Sequence, residues 1–185
     1  MLGKRITIGV AAVAGAFALA ACSSAAAAPR PAAAAPAAAK TPRCTTADLS
    51  LSLGKPAEKS DAPGQFDVPL TYKNVSNHTC GLYGVPGVDL VGPDDPTFGP
   101  VYHLPRVDNG VKYNEVTPGM TATATISVLT PAEGGKSWTP TKLNTIPPGQ
   151  TRALTADWPS DLPVLRQDAA THPGTYVNGI LADPS

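Results

Sequence analysis

Phe66-Asp67-Val68-Pro69-Leu70-Thr71-Tyr72-Lys73 places an apolar side chain at every second position. Successive side chains of an extended strand point to opposite faces. Phe66, Val68, Leu70 and Tyr72 therefore share a buried face, and the residues between them face solvent. Pro69 has no N–H for a sheet hydrogen bond, which predicts an edge position or a bulge. Upstream, Leu49, Leu51 and Leu53 alternate with Asp48, Ser50 and Ser52 in the same way. Further strands are expected at 88–91, 97–104, 120–129, 151–158 and 175–181. Apolar residues nowhere recur at helical spacing for three turns after the N-terminal region, which leaves room only for a short helical piece around 162–170.

The turns point the same way. Pro-Gly occurs at Pro63-Gly64, Pro86-Gly87, Pro118-Gly119, Pro148-Gly149 and Pro173-Gly174. Proline presets the first central angle of a type II turn and glycine accepts the positive φ of the second. Strands separated by such corners describe an all-β domain. Two antiparallel sheets packed face to face bury so many one-sided strands most simply.

That domain runs over 44–185, a length suited to one core. The whole chain is formally neutral, but from Cys44 onward nine Lys/Arg stand against 14 Asp/Glu, a balance of −5. No basic stripe follows that could track a phosphate backbone, so nucleic acid is not an expected partner.

The N-terminus reads as an address. Lys4 and Arg5 precede an apolar run over 6–18, and Leu19-Ala20-Ala21-Cys22 follows. The run is too short for a membrane span, which needs about 20 apolar residues, and suits a signal peptide over 1–21. Small residues before a cysteine are the pattern of a bacterial lipoprotein signal. Cys22 is then the lipidated first residue of the mature chain, anchored in the membrane by two or more acyl chains. Cleavage at Ala25 to Ala28, or an uncleaved helical anchor, are the alternatives. The segment 22–43 is almost wholly Ala and Pro. It has nothing large to bury and is expected to be a disordered spacer, reaching at most roughly 65 Å from the membrane.

Cys44 and Cys80 remain, an even pair in an exported chain, and are expected to form a disulfide between neighbouring segments near the first two strands. Closing a loop of this length stabilises by about 3.8 kcal/mol in the chain-entropy picture. A redox or metal-binding role is poorly supported, because no Cys-x-x-Cys spacing is present.

Several blocks of the chain form a recognisable set. Cys44-Thr45-Thr46-Ala47-Asp48-Leu49 opens the domain, and Val68-Pro69-Leu70-Thr71-Tyr72-Lys73-Asn74-Val75-Ser76 follows. Cys80-Gly81-Leu82-Tyr83-Gly84-Val85-Pro86-Gly87-Val88, Val116-Thr117-Pro118-Gly119 and Ile146-Pro147-Pro148-Gly149-Gln150-Thr151 complete it. With them the chain resembles the actinobacterial lipoproteins that carry domain-of-unknown-function family 4232, over about 44–160. The resemblance implies an immunoglobulin-like β-sandwich in an exported or lipid-anchored protein. It supplies no activity and no catalytic residue. A second cysteine pair seen in some relatives is absent here, and the tail after Trp158 is harder to place.

Chemistry is sparse. His78, His103 and His172 lack metal-ligand spacing, and none has an obvious carboxylate partner in sequence; each reads as a loop or surface residue. No Gly-x-Ser-x-Gly, Ser-x-x-Lys or phosphate loop occurs. Asp94-Asp95, with Asp89 and Asp108-Asn109, is the richest oxygen cluster, yet matches no calcium loop. Asn74-Val75-Ser76 and Asn77-His78-Thr79 match the glycosylation pattern by chance in this context. Trp138, Trp158, Tyr83, Tyr102, Tyr113 and Tyr176 are the aromatics able to line a binding surface, with core packing the competing expectation. The single Met120 after the signal region argues against a thioether copper carrier.

The expectation is a non-enzymatic, lipid-anchored cell-envelope module on the extracytoplasmic face of the plasma membrane, without cofactor or metal, that binds or scaffolds an envelope protein or wall polymer. A small-ligand or cell-wall polysaccharide binder using an aromatic patch is the alternative. An enzyme would need two or more histidines or acids to converge in a cleft.

Overall fold

A computed structural model of the chain describes residues 41–181. The expected signal peptide, the Cys22 lipid site and residues 23–40 of the expected linker lie outside the described residues. A 3₁₀ turn at Thr46–Asp48 leads into β1 (Leu49–Leu53), β2 (Ala57–Lys59), β3 (Ala62–Asn74), β4 (Cys80–Leu82), β5 (Gly87–Val91) and β6 (Val101–His103). β7 (Arg106–Val107), β8 (Asn114–Val116), β9 (Thr121–Leu129), β10 (Lys142–Ile146), β11 (Leu154–Asp157) and β12 (Tyr176–Asn178) follow. One sheet has the order β1-β3-β9-β12-β7, with β2 also on β3; the second is β11-β10-β5-β6; β4 and β8 form a separate pair. Only β12–β7 is parallel among these pairings. The domain is the all-β antiparallel sandwich that the alternation demands.

β3 is the spine of the larger sheet. Its even-numbered residues Val68, Leu70 and Tyr72 are buried, as are Ala122, Ala124 and Ile126 on β9. Tyr72 lies opposite Ala122 and Leu70 opposite Ala124, so bulky side chains meet small ones and the inner face stays level. Val88, Leu90, Tyr102 and Leu143 of the smaller sheet complete one core. A polar bridge crosses that core. The Tyr72 hydroxyl lies 2.6 Å from Thr145 Oγ1, which itself donates to the Gly87 carbonyl at 2.9 Å. Burial drives the Tyr72 phenol well above its ordinary range, so it remains protonated and donates.

Pro69 is not at an edge: β3 has β1 on one side and β9 on the other. The sheet accommodates it because β1 ends at Leu53 and β2 does not begin until Ala57, so the missing donor faces a gap between partners. Gly54 closes that gap by donating to the Pro69 carbonyl at 2.8 Å. A Cβ on Gly54 would stand 2.8 Å from Pro69 Cγ, so only glycine allows this approach.

Other expectations shift. The strand expected over 97–104 shortens to β6, because Asp95 Oδ1 accepts the backbone N–H groups of Thr97 and Phe98 and folds that stretch into a turn. The helical piece around 162–170 is absent. Pro163 restrains Leu162 to extended geometry, and Leu162 and Val164 are buried at alternate positions, with Val164 bridged to Trp138. Pro118-Gly119 and Pro148-Gly149 form the expected turns, closed by Met120 N–H to Thr117 O and Gln150 N–H to Pro147 O, both 3.0 Å. The other three Pro-Gly pairs lie elsewhere: Gly64 has positive φ inside β3, and neither Gly87 nor Gly174 has positive φ. Contacts also run just upstream of residue 44. Pro42 accepts the Gly81 N–H at 2.7 Å, and Arg43 bridges to Gly81. Beside them Cys44 and Cys80 are joined by a disulfide, both fully buried.

Candidate functional site

The outer face of the smaller sheet carries a straight polar row. Strand register sets Thr155 opposite Asn144, Asn144 opposite Asp89, and Asp89 opposite His103, so one residue from each of four strands lies in line. These are the positions between the inward Leu90, Leu143 and Tyr102, as strand alternation requires. Thr155 donates to Asn144 Oδ1 at 2.7 Å, and His103 Nδ1 lies 2.7 Å from Asp89 Oδ1. The imidazole is thereby oriented with Nε2 directed away from its partner, on a side chain that is mostly exposed.

Arg106 approaches this row from the other sheet. The chain leaves β6 at His103, crosses at Leu104-Pro105 and enters β7, which belongs to the larger sheet. The guanidinium then reaches back over Gly87 on β5. A Cβ on Gly87 would lie 2.6 Å from Arg106 Nη2, so glycine here makes room for the arginine. Together Asp89, His103, Arg106, Asn144, Ile146 and Ala153 border an open groove of about 360 Å³. Its volume falls at the lower end of small-ligand sites.

The larger sheet has a comparable outer row, but it is covered. Asp67 lies opposite Ser127, and Ser127 opposite Tyr176. Lys59 folds over them: its Nζ is 3.1 Å from Ser127 Oγ and 3.3 Å from Asp67 Oδ1, while Ser127 donates to Asp67 at 2.9 Å. Ser127 is wholly buried. A serine–lysine contact of this kind could suggest a nucleophile, but no substrate reaches a hydroxyl sealed beneath its own lysine.

The remaining candidates separate. His78 approaches Asp48 at 3.7 Å, away from the groove, and His172 contacts Thr171. Asp48 is held below the ordinary aspartate range chiefly by hydrogen bonds from the Thr45 hydroxyl and N–H, with a smaller part from His78. The acids of the expected oxygen cluster have different partners. Asp95 bonds backbone and Lys136, Asp108 caps Gly110 and Val111, and Asp89 joins His103. Among the described residues no group of three or more His, Cys, Asp or Glu could hold a metal. Asn74 is fully buried; its amide donates to the His78 and Val116 carbonyls while its oxygen accepts from Ser76. That side chain holds the β3–β4 loop together.

The aromatics divide. Trp138, Trp158 and Tyr102 are in the core. Tyr83 and Tyr113 are exposed and packed with centroids 5.1 Å apart; the Arg43 guanidinium lies 3.7 Å above Tyr83 and donates to the Tyr83 and Pro148 carbonyls. Tyr176 is half-buried beside Lys59. The exposed aromatics are thus a pair beside Gly81, and neither of them lines the groove.

Sequence reasoning did not find the pairing of His103 with Asp89, nor Arg106 or Asn144. Asp89 does occupy an outward position of a predicted strand. Its partner depends on which strand lies alongside, and that is not written in the alternation.

Comparison with known proteins adds the family. No curated protein matches the chain. Among solved structures, it has a weak likeness to DesR, a β-glucosidase from Streptomyces venezuelae in complex with D-glucose: 16% identity over 60% of this chain and 15% of that one, with a TM-score of 0.28. A likeness of that size carries no argument about activity. A family model described as Domain of unknown function (DUF4232) matches residues 44–177, which takes in the sandwich from the disulfide to β12, and the chain belongs to that family.

Proposed function

We propose that the protein is a lipid-anchored, non-enzymatic binding module of the cell envelope, displayed outside the membrane. The observation that carries binding is the open groove on the smaller sheet. Its polar side chains come from several strands of a rigid scaffold, and Nε2 of His103 faces outward beside an exposed arginine. Neither serine nor cysteine lines it, so no side-chain nucleophile of those two kinds stands beside the imidazole. Leu19-Ala20-Ala21-Cys22 supports the anchor, and the Ala/Pro segment supports a spacer between lipid and domain.

Mass spectrometry and fractionation of native cells test the anchor. Wild-type protein should carry acyl mass on Cys22 and partition with membranes, whereas Cys22→Ala should be released. Retention of the full chain on purified envelope polymer tests binding, which should weaken when Asp89 and Asn144 are both changed to alanine. An aromatic binder is the second reading, favoured by the exposed Tyr83–Tyr113 pair. It predicts instead that Tyr83→Ala with Tyr113→Ala abolishes retention and that the groove variants do not.

A further inference from the structure

We propose that the groove of the smaller sheet takes an anionic, hydroxyl-bearing ligand, a sugar acid or polyol phosphate unit, with Arg106 as the anion-binding side chain. This names the ligand class of the site proposed above and rests on that reading.

The groups bordering the groove differ in what they leave open. Asn144 Oδ1 is occupied by Thr155, and Asp89 Oδ1 by His103. Neither the Asn144 amide nitrogen nor the Arg106 guanidinium has a hydrogen bond or ion pair among the described residues. Donors therefore outnumber acceptors on the free side of the row. Elsewhere, two arginines are used internally: Arg43 donates to two carbonyls, and Arg166 pairs with Asp168 while donating to the Phe98, Gly99 and Val101 carbonyls; exposed Arg152 lies outside the residues that border the groove. Arg106 instead extends along the sheet surface above a glycine. A planar guanidinium in that setting matches a carboxylate or phosphate in bidentate fashion.

The remaining groups define the rest of the ligand. Asp89 Oδ2 is free to accept a hydroxyl, His103 Nε2 can exchange a hydrogen bond with a second, and Ile146 and Ala153 offer an apolar margin. Asp89 sits beside the imidazole and opposes a bare anion, so an anion that also brings hydroxyl groups fits better than a simple one. The volume accommodates a short unit rather than a folded partner.

Calorimetric titration of the full chain distinguishes the possibilities. The probes are trigalacturonate (carboxylate and hydroxyls), glycerol 3-phosphate (phosphate and hydroxyls), neutral maltotriose, and acetate. Trigalacturonate or glycerol 3-phosphate should bind at least about tenfold more tightly than maltotriose and acetate, and which of the two prevails identifies the anion. Arg106→Ala should remove that preference, a loss of at least about tenfold, the size of one charge-assisted contact. Equal binding of neutral and anionic probes, or an Arg106→Ala variant that binds unchanged, overturns the proposal. Amide shifts in the wild-type chain provide a measurement independent of variant folding: changes must centre on Arg106, Asn144 and His103, and a map centred elsewhere overturns it too. If neither anion binds while envelope polymer is still retained through Asp89 and Asn144, the ligand class fails and the binding function stands. Loss of both removes the two together.

Discussion

Each sheet of the sandwich carries a polar row on its outer face, one open and one closed. On the larger sheet Lys59 covers Asp67 and Ser127, satisfies them, and buries the serine completely. On the smaller sheet no described residue folds over Asp89, Asn144 and His103, and Arg106 reaches their margin without a hydrogen bond or ion pair among the described residues. The chemical ingredients are similar: a carboxylate and a neutral polar side chain on adjacent strands, with a cation that reaches them. What differs is where the cation goes. Beside Ser127 it completes a structural contact, whereas beside Asp89 it leaves hydrogen-bonding capacity facing solvent. A polar row becomes a candidate site when neighbouring side chains leave it unfinished.

Substitutions can break this contrast. The largest expected effect lies behind the open row, on the inner face of the same strand. Leu90 is fully buried, and Leu90→Ala should cost roughly 2–5 kcal/mol in a urea melt. A loss well below 1 kcal/mol would mean that this sheet is not packed as described. Within the closed row, Ser127→Ala removes both the donor to Asp67 and the acceptor for Lys59, and should cost about 1–2 kcal/mol. On the open row, Asn144→Ala should leave stability within about 0.5 kcal/mol of wild type. Equal costs at Ser127 and Asn144 would erase the distinction between the rows.

The smallest effect concerns acid. Asp157, exposed on β11, is held below the ordinary value of 3.8 by hydrogen bonding to Lys142 and then by its charge. A folded-state pKa that is lowered adds stability above the unfolded value and loses it as pH falls through the folded one. The contribution of this exposed pair should therefore fade below the ordinary aspartate range, and Lys142→Ala should move the Asp157 carboxyl midpoint up toward 3.8 in a carbon-detected NMR titration. An unchanged midpoint would show that the pair does not form in solution.

Much of the fold was legible in the chain. Val68, Leu70 and Tyr72 alternate because a half-buried strand allows little else, and their burial follows from that period. For Pro69 the edge position was wrong, because its lost donor was judged without knowing where β1 ends and β2 begins, while the extra residue between Leu53 and Ala57 opposite it agrees with the bulge alternative. Leu162 and Val164 were ambiguous because a short apolar segment fits either structure until a partner such as Trp138 is beside it. The groove was the least legible feature. Asp89 and His103 are 14 residues apart, and neither carries a mark of the other.

The sequence by itself determined that the domain is all-β and which side chains face inward, since both depend on period and turn chemistry. Only the tertiary structure decided which strands are neighbours. Strand order aligns Thr155, Asn144, Asp89 and His103 and returns Arg106 over Gly87 from the opposite sheet. Such a site depends on contacts between distant segments, and local alternation fixes the face of a side chain but not its companion.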